Sequence, residues 1–225
     1  QFRGSPEQIR IRLEAYLPDF EGASDVLDIG CGRGEFLDLL RERGIGGRGL
    51  DLNHEMVEVC RSRGLTADEG DALGYLEGLP DGSLGGIVAA QVVEHLDPGY
   101  LMQTLDAAYH KLRPGSKIIL ETINPACWYA FFESYIRDVT HVRPLHPDTL
   151  KYLMISSGFQ KVDIRYSAPF PDDSKLQPVP KPLAATGGEP TADIGAVIST
   201  VNENASKLNE LLFTHLDYAA IGERL

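Results

Sequence analysis

Two groups of residues in this sequence have the types and spacing to do chemistry. The first is Asp28-Ile29-Gly30-Cys31-Gly32-Arg33-Gly34, three alternating glycines directly after a short apolar run. Glycine lets the backbone turn sharply and lets a ligand approach with no Cβ in the way. Asp51 closes a second apolar run, where an acid can accept hydrogen bonds from ribose hydroxyls. The second group centres on two histidines. His95 stands in Val93-Glu94-His95-Leu96, and His141 in Asp138-Val139-Thr140-His141-Val142-Arg143. An imidazole exchanges its proton near neutral pH, which suits a general base acting on a hydroxyl. The competing reading packs His95 under a loop and pairs Asp138 with Arg143 at the surface, with His141 capping a turn. His146, before Pro147, reads as shaping a helix start.

The glycine spacing discriminates between cofactors. A dinucleotide pyrophosphate prefers G-x-G-x-x-G with helix N-terminal amides facing it. Here the pattern is G-x-G-x-G, and Glu35 follows at the helix start. That carboxylate would repel a pyrophosphate but not a cationic cofactor. A nicotinamide-dependent oxidoreductase is the alternative this spacing disfavours.

Elements must place these residues. Ser5-Pro6-Glu7-Gln8 reads as a capping box opening a helix with Ile9, Leu13, Tyr16 and Leu17 on one stripe. Short apolar runs then alternate with amphipathic stretches: strands at 26–29, 49–52, 65–67, within 84–93, at 117–123 and 159–166, with helices between them. Asn53 and Asp97 precede helices as caps, and Pro114-Gly115 reads as the end of the helix after Asp97. Such alternation implies an α/β, doubly wound, mostly parallel sheet covered on both faces. From Ala168 the pattern breaks into a proline-rich stretch with Gly187-Gly188, an extended loop or lid. Helical spacing resumes from Ile194 to Leu212; core packing on the sheet is the expected role, with a coiled-coil or dimer contact as runner-up. Asp217 to Ile221 reads as a last strand.

Composition bounds the function. The 225 residues carry 21 Lys+Arg against 33 Asp+Glu, a net charge of −12. That balance argues against a nucleic-acid groove and against docking on an anionic membrane. Cys31, Cys60 and Cys127 are odd in number and far apart, which favours a reducing compartment and a cytoplasmic location. No apolar stretch is long enough for a transmembrane segment and no signal peptide is visible; the chain begins at Gln1 rather than Met, which leaves open whether it is a fragment. A homo-oligomer and flanking domains both stay open.

Val26 to Gly34, Asp51, Gly70-Asp71-Ala72 and Ala90 to Leu96 together resemble the class I S-adenosylmethionine-dependent methyltransferases, in order along residues 26–166. The resemblance implies a Rossmann-like seven-stranded sheet with an antiparallel last strand. It implies that Gly30, Gly32 and Gly34 line the methionine part of S-adenosyl-L-methionine, and that Asp51, with Leu52 beside it, holds the ribose. Asp71 and Ala72 would border the adenine, and Gln91 would lie near the sulfonium. Four parts follow: a helix at 1–24 covering the cofactor site, a core at 25–168, the insertion and long helix at 169–213, and the last strand at 214–225.

A finer resemblance joins Arg3-Gly4-Ser5 with Thr140 to Pro147. It is similar to methyltransferase domains of bacterial surface-polysaccharide enzymes, and implies a carbohydrate acceptor methylated on a sugar hydroxyl or related group. His141, His95 and Glu94 are then the catalytic candidates, and Trp128, Tyr129, Phe131, Phe132 and Tyr135 can offer aromatic faces or simply pack. Ubiquinone-type O-methyltransferases carry an extra Glu where this chain has Gln91 and can hold a divalent metal there. Loss of that carboxylate weakens an oxygen-ligand set, so no metal is expected; a metal-assisted small-metabolite enzyme using Glu94 and His95 is the alternative.

Overall fold

The computed structural model describes residues 5–180 and 192–225. Ser5 opens α1 (Pro6–Glu14) with the capping box: its hydroxyl accepts from the Gln8 N–H, and the Gln8 side chain accepts from the Ser5 N–H. Units of strand and helix follow: β1 (Val26–Ile29), α2 (Glu35–Glu42), β2 (Gly47–Asp51), α3 (His54–Ser62), β3 (Ala67–Glu69), α4 (Ala72–Glu77), β4 (Leu84–Ala90), α5 (Pro98–Lys111) and β5 (Leu112–Ile123). The chain closes with α6 (Trp128–Ala130, continued by a wider helical turn at Phe131–Tyr135), α7 (Pro147–Ser156), β6 (Gln160–Pro169), α8 (Ala192–Leu212) and β7 (His215–Glu223).

The seven strands form one sheet in the order β3-β2-β1-β4-β5-β7-β6. β1 to β5 pair in parallel, and β7 runs antiparallel between β5 and β6. All four residues of β1 are buried, as a central strand covered on both faces requires. One core, around Leu27, Ile87, Leu105, Leu150 and Met154, lies on the side of α4, α5 and α7; the other, around Leu13, Phe20, Phe36, Leu40 and Val57, lies on the side of α1 to α3. Connections diverge between β1 and β4, so a crevice opens beyond their carboxyl ends.

The doubly wound expectation holds, with four differences. β3 starts at Ala67, where the sequence reading placed its end. α4 was not foreseen; it is six residues long, and Asp71 caps it. β5 runs through Pro114-Gly115 from Leu112, and its register against β4 shifts between Leu84 and Gly86 to take up the irregularity. α8 does not pack its apolar stripe on the sheet, because the other helices already cover both faces; Ile194, Val197, Val201, Leu208 and Leu211 are exposed. The described part of the proline-rich stretch runs along α8, where Leu176 bonds Asn209 and Val179 bonds Asn202. Arg3, Gly4 and residues 181–191, including Gly187-Gly188, lie outside the described residues.

Gly86 shows how closely the second core, on the side of α1 to α3, fits against the sheet. A Cβ there would sit 2.5 and 2.6 Å from ring atoms of Phe20. Gly86→Ala is therefore expected to lower the unfolding free energy by about 1–3 kcal/mol in urea titrations, through overpacking in a central strand.

Candidate active site

A cleft of about 1290 Å³ opens beyond the carboxyl ends of β1, β2 and β4. Its first wall comes from the turns after the strands. Gly30 follows β1 with φ +71°, and a Cβ there would lie 2.4 Å from a Val92 methyl, so both backbone shape and space exclude a side chain. The Asp51 carboxylate, at the end of β2, accepts from the Gly32 N–H at 2.8 Å and the Asn53 N–H at 2.8 Å, tying the glycine turn to β2. Exposed Leu52 lines the cleft beside it. Past β3, Asp71 accepts from the Gly74 N–H and the Tyr100 hydroxyl, which hold its carboxyl below the usual range. Ala72, Tyr100 and Gly70 complete this wall.

The floor is a buried carboxylate cluster. Glu121 of β5 is fully buried and accepts from the Tyr16 hydroxyl at 2.6 Å. Arg12 of α1 lies 3.1 Å from Glu121 and 3.5 Å from Asp217 of β7. Gln91 sits at φ +58° after β4, a sparsely populated shape for a non-glycine residue, and its amide donates to Asp217 at 3.1 Å. Burial, then the Glu121 charge, pushes the Asp217 carboxyl up to about 6.

The far end holds the histidines. His141 Nδ1 lies 2.7 Å from the Tyr135 carbonyl, an acceptor that fixes the ring proton on Nδ1 and leaves the lone pair on Nε2. Tyr135 stacks on the ring with centroids 4.7 Å apart. His95 lies against His141 at 4.7 Å, with its Nδ1 3.0 Å from the Thr140 hydroxyl and 3.2 Å from the Thr140 carbonyl. Glu94 is buried below them; Oε2 accepts from Thr122, Oε1 has no partner among the described residues, and burial pushes its carboxyl up to about 7. Ligand atoms of Glu94, His95 and His141 all lie within 4.8 Å of one another.

A family model described as a methyltransferase domain matches residues 3–164. The chain belongs to this methyltransferase family. A crystallised SAM-dependent methyltransferase from Archaeoglobus fulgidus is 40% identical, with a TM-score of 0.87 over 99% of this chain and 96% of that one. A probable S-adenosylmethionine-dependent methyltransferase of Mycolicibacterium smegmatis is 31% identical over 62% of this chain and 53% of its own length. A ubiquinone biosynthesis O-methyltransferase of Xylella fastidiosa is 31% identical over 44% of this chain and 42% of its own. The chain thus spans about half the length of these curated relatives. It is an S-adenosylmethionine-dependent methyltransferase, and the nicotinamide alternative falls away.

In the methyltransferase the expected residues divide. Gly30, Asp51, Leu52, Asp71, Ala72, Gln91, Glu94, His95 and His141 all line the cleft. Gly32 and Gly34 do not: Gly32 gives its N–H to Asp51, and Gly34, at φ +81°, lies where a Cβ would strike Leu65 and Cys60. Glu35 also faces away and pairs with Arg33 at 2.7 Å. Asp138 does not orient His141, being 4.0 Å from Nε2; it binds the Thr140 N–H and hydroxyl, and the Tyr135 carbonyl orients the ring. Exposed Arg143 is absent from the lining, where Arg137 stands instead. Of the five aromatics, none lines the cleft; Tyr135 reaches it only by supporting His141.

Sequence reading missed Arg12, Tyr100, Glu121 and Asp217. The two acids carried a signal, since each stands in or beside an otherwise apolar strand, Ile118-Ile119-Leu120-Glu121 and Asp217-Tyr218-Ala219-Ala220-Ile221. Among the described residues, no helix is long and apolar enough to cross a membrane.

Two outcomes test the floor. Arg12→Ala removes the cation beside a buried carboxylate and is expected to cost about 3 kcal/mol in unfolding free energy. Asp217 has a raised carboxyl, so its folded form holds a proton that the unfolded form releases between pH 4 and 6. Its burdening effect on stability appears as pH rises through about 6. Relative to the parent, Asp217→Asn should therefore gain stability progressively from pH 4 to 6 and level off above, as read by urea titrations at each pH.

Proposed function

We propose that this methyltransferase moves a methyl group onto a sugar hydroxyl or related glycan group. The observation that carries this reading is the His141 ring. Its proton is committed to the Tyr135 carbonyl, so Nε2 offers a lone pair at the end of the cleft away from the glycine turn. Hydroxyls are poor nucleophiles until a base takes the proton, and a positioned base contributes about 10²–10⁴-fold. The surrounding lining of Glu133, Ser134, Arg137, Asp138 and Thr140 is polar, in keeping with a many-hydroxyl acceptor.

The residues present fit S-adenosylmethionine. Gly30 leaves room where a Cβ cannot stand, Asp51 and Leu52 would hold the ribose, Asp71 and Ala72 would border the adenine, and Gln91 would lie by the sulfonium. When bound, the cofactor supplies an electrophilic methyl on a positively charged sulfur. The chain's own contribution is to bring acceptor and donor together, a proximity effect, and to take the hydroxyl proton at His141 Nε2. His95 holds the neighbouring position, locked by Thr140. Glu94, with its carboxyl raised to about 7, can share that proton within the cluster.

A second reading rests on the same cluster. Glu94, His95 and His141 present one carboxylate and two imidazoles within 4.8 Å, a donor set that suits a transition metal better than Mg²⁺. The likeness to a relative named as a ubiquinone biosynthesis O-methyltransferase favours a small-metabolite acceptor, and the cluster itself would supply the metal assistance. The buried thiols Cys31, Cys60 and Cys127 remain free, which supports a reducing, cytoplasmic setting.

Transfer of labelled methyl to a panel of oligosaccharides and catechols, with and without chelator, separates the readings. Labelled oligosaccharide formed in chelator supports the first; catechol labelling lost in chelator supports the second and overturns the first. His141→Ala is expected to lower kcat at least about 100-fold while leaving cofactor affinity within about twofold. Asp51→Ala should instead weaken cofactor binding by about tenfold or more in calorimetry.

A further inference from the structure

The apolar residues of α8 fall into two sets. Ile198, Ala205 and Leu212 share a half-buried side with Asn202 and Asn209. Each of these asparagines bonds both the N–H and the C=O of one residue in the extended segment before it, Asn209 with Leu176 and Asn202 with Val179. That face is occupied. The second set is Ile194, Val197, Val201, Asn204, Leu208 and Leu211, stepping by three and four residues in strict alternation. All six are exposed, the apolar five between 39% and 62%. Alternating three–four spacing is the 3.5-residue period of a coiled-coil seam, narrower than the stripe of a helix lying on a sheet.

We propose that this seam is a homodimer interface in which α8 pairs, parallel and in register, with α8 of a second copy. Asn204 chooses the occupant. It is the polar member of an otherwise apolar seam, and an amide buried against an apolar surface loses its hydrogen bonds. Two-fold, in-register pairing sets Asn204 against the same residue of its copy, so the two amides satisfy each other and fix the register. The size is sufficient: 18 residues from Ile194 to Leu211 span about 27 Å, and two helices in contact over that length bury on the order of 1,000 Å², the threshold of a specific interface. Charge permits it despite the chain's −12. Between Ile194 and Leu211 the acids are Glu203 and Glu210, one residue before Asn204 and Leu211 on the outer flank, and Glu203 is neutralised by Lys207 at 2.7 Å.

Sedimentation velocity over a concentration series on the full chain tests the pairing. The parent is expected to dimerise, and the doubly substituted Val201→Glu/Leu208→Glu chain to weaken dimerisation at least about 100-fold. Cofactor titration on both serves as the folding control, since the substituted positions are exposed and do not line the cleft. Asn204→Cys should form a disulfide-linked dimer under mild oxidation, the native thiols being buried. A parent that stays monomeric at about 100 μM overturns the proposal, as does a dimer unaffected by the two glutamates. A dimer that Asn204→Cys fails to cross-link overturns the in-register arrangement.

Discussion

Glu121 is a carboxylate with no exposure, placed in the middle of the sheet, and much of the site exists to satisfy it. An ion so buried is tolerated only with a counter-charge and hydrogen bonds. Arg12 brings the charge from α1, the Tyr16 hydroxyl donates from just beyond the same helix, and Gln91 reaches it at 3.5 Å from a backbone held at positive φ. The same demand draws in Asp217, which shares Arg12 and Gln91. One buried charge thereby ties the first helix, the turn after β4, β5 and the last strand into the floor of a single cleft. It also explains why the last strand must lie between β5 and β6: only there does Asp217 come onto the same face as Glu121.

The two ends of the cleft are built by different means. At the glycine end, backbone geometry does the work, and the acid at the end of β2 holds the turn by its two N–H bonds. At the histidine end, side chains from the turns after β4 and β5 meet. Val142 donates its N–H to the Glu94 carbonyl at 2.9 Å, which brings the loop carrying His141 down onto the segment carrying His95. Stacking on Tyr135 and the bond to its carbonyl then give His141 one orientation and one tautomer. A ring so constrained loses little entropy on engaging a partner, which is the sense in which this end of the cleft is preorganised.

What the chain is could be read from local pattern. The alternation of short apolar runs with amphipathic helices determined a doubly wound sheet, because a strand buried on both faces must be apolar at every position. The alternating glycines and the acids at Asp51 and Asp71 marked one end of the cleft, because their places depend on backbone shape within a few residues. Even so, the glycines were only partly understood. Gly30 faces the cleft, whereas Gly32 serves a bond and Gly34 serves packing, a division set by neighbours that come from other elements.

Tertiary structure decided the rest. Arg12, Glu121 and Asp217 each lie more than 90 residues from the next along the chain, and no local rule brings them together. The orienting partner of His141 is a backbone carbonyl, which carries no residue-type signal at all, so Asp138 was the natural but incorrect choice from sequence. The stripe on α8 was legible as apolar and helical, yet its destination was not. Whether such a stripe meets a sheet or stays open depends on which faces other helices have already covered, and that is a property of the assembled fold.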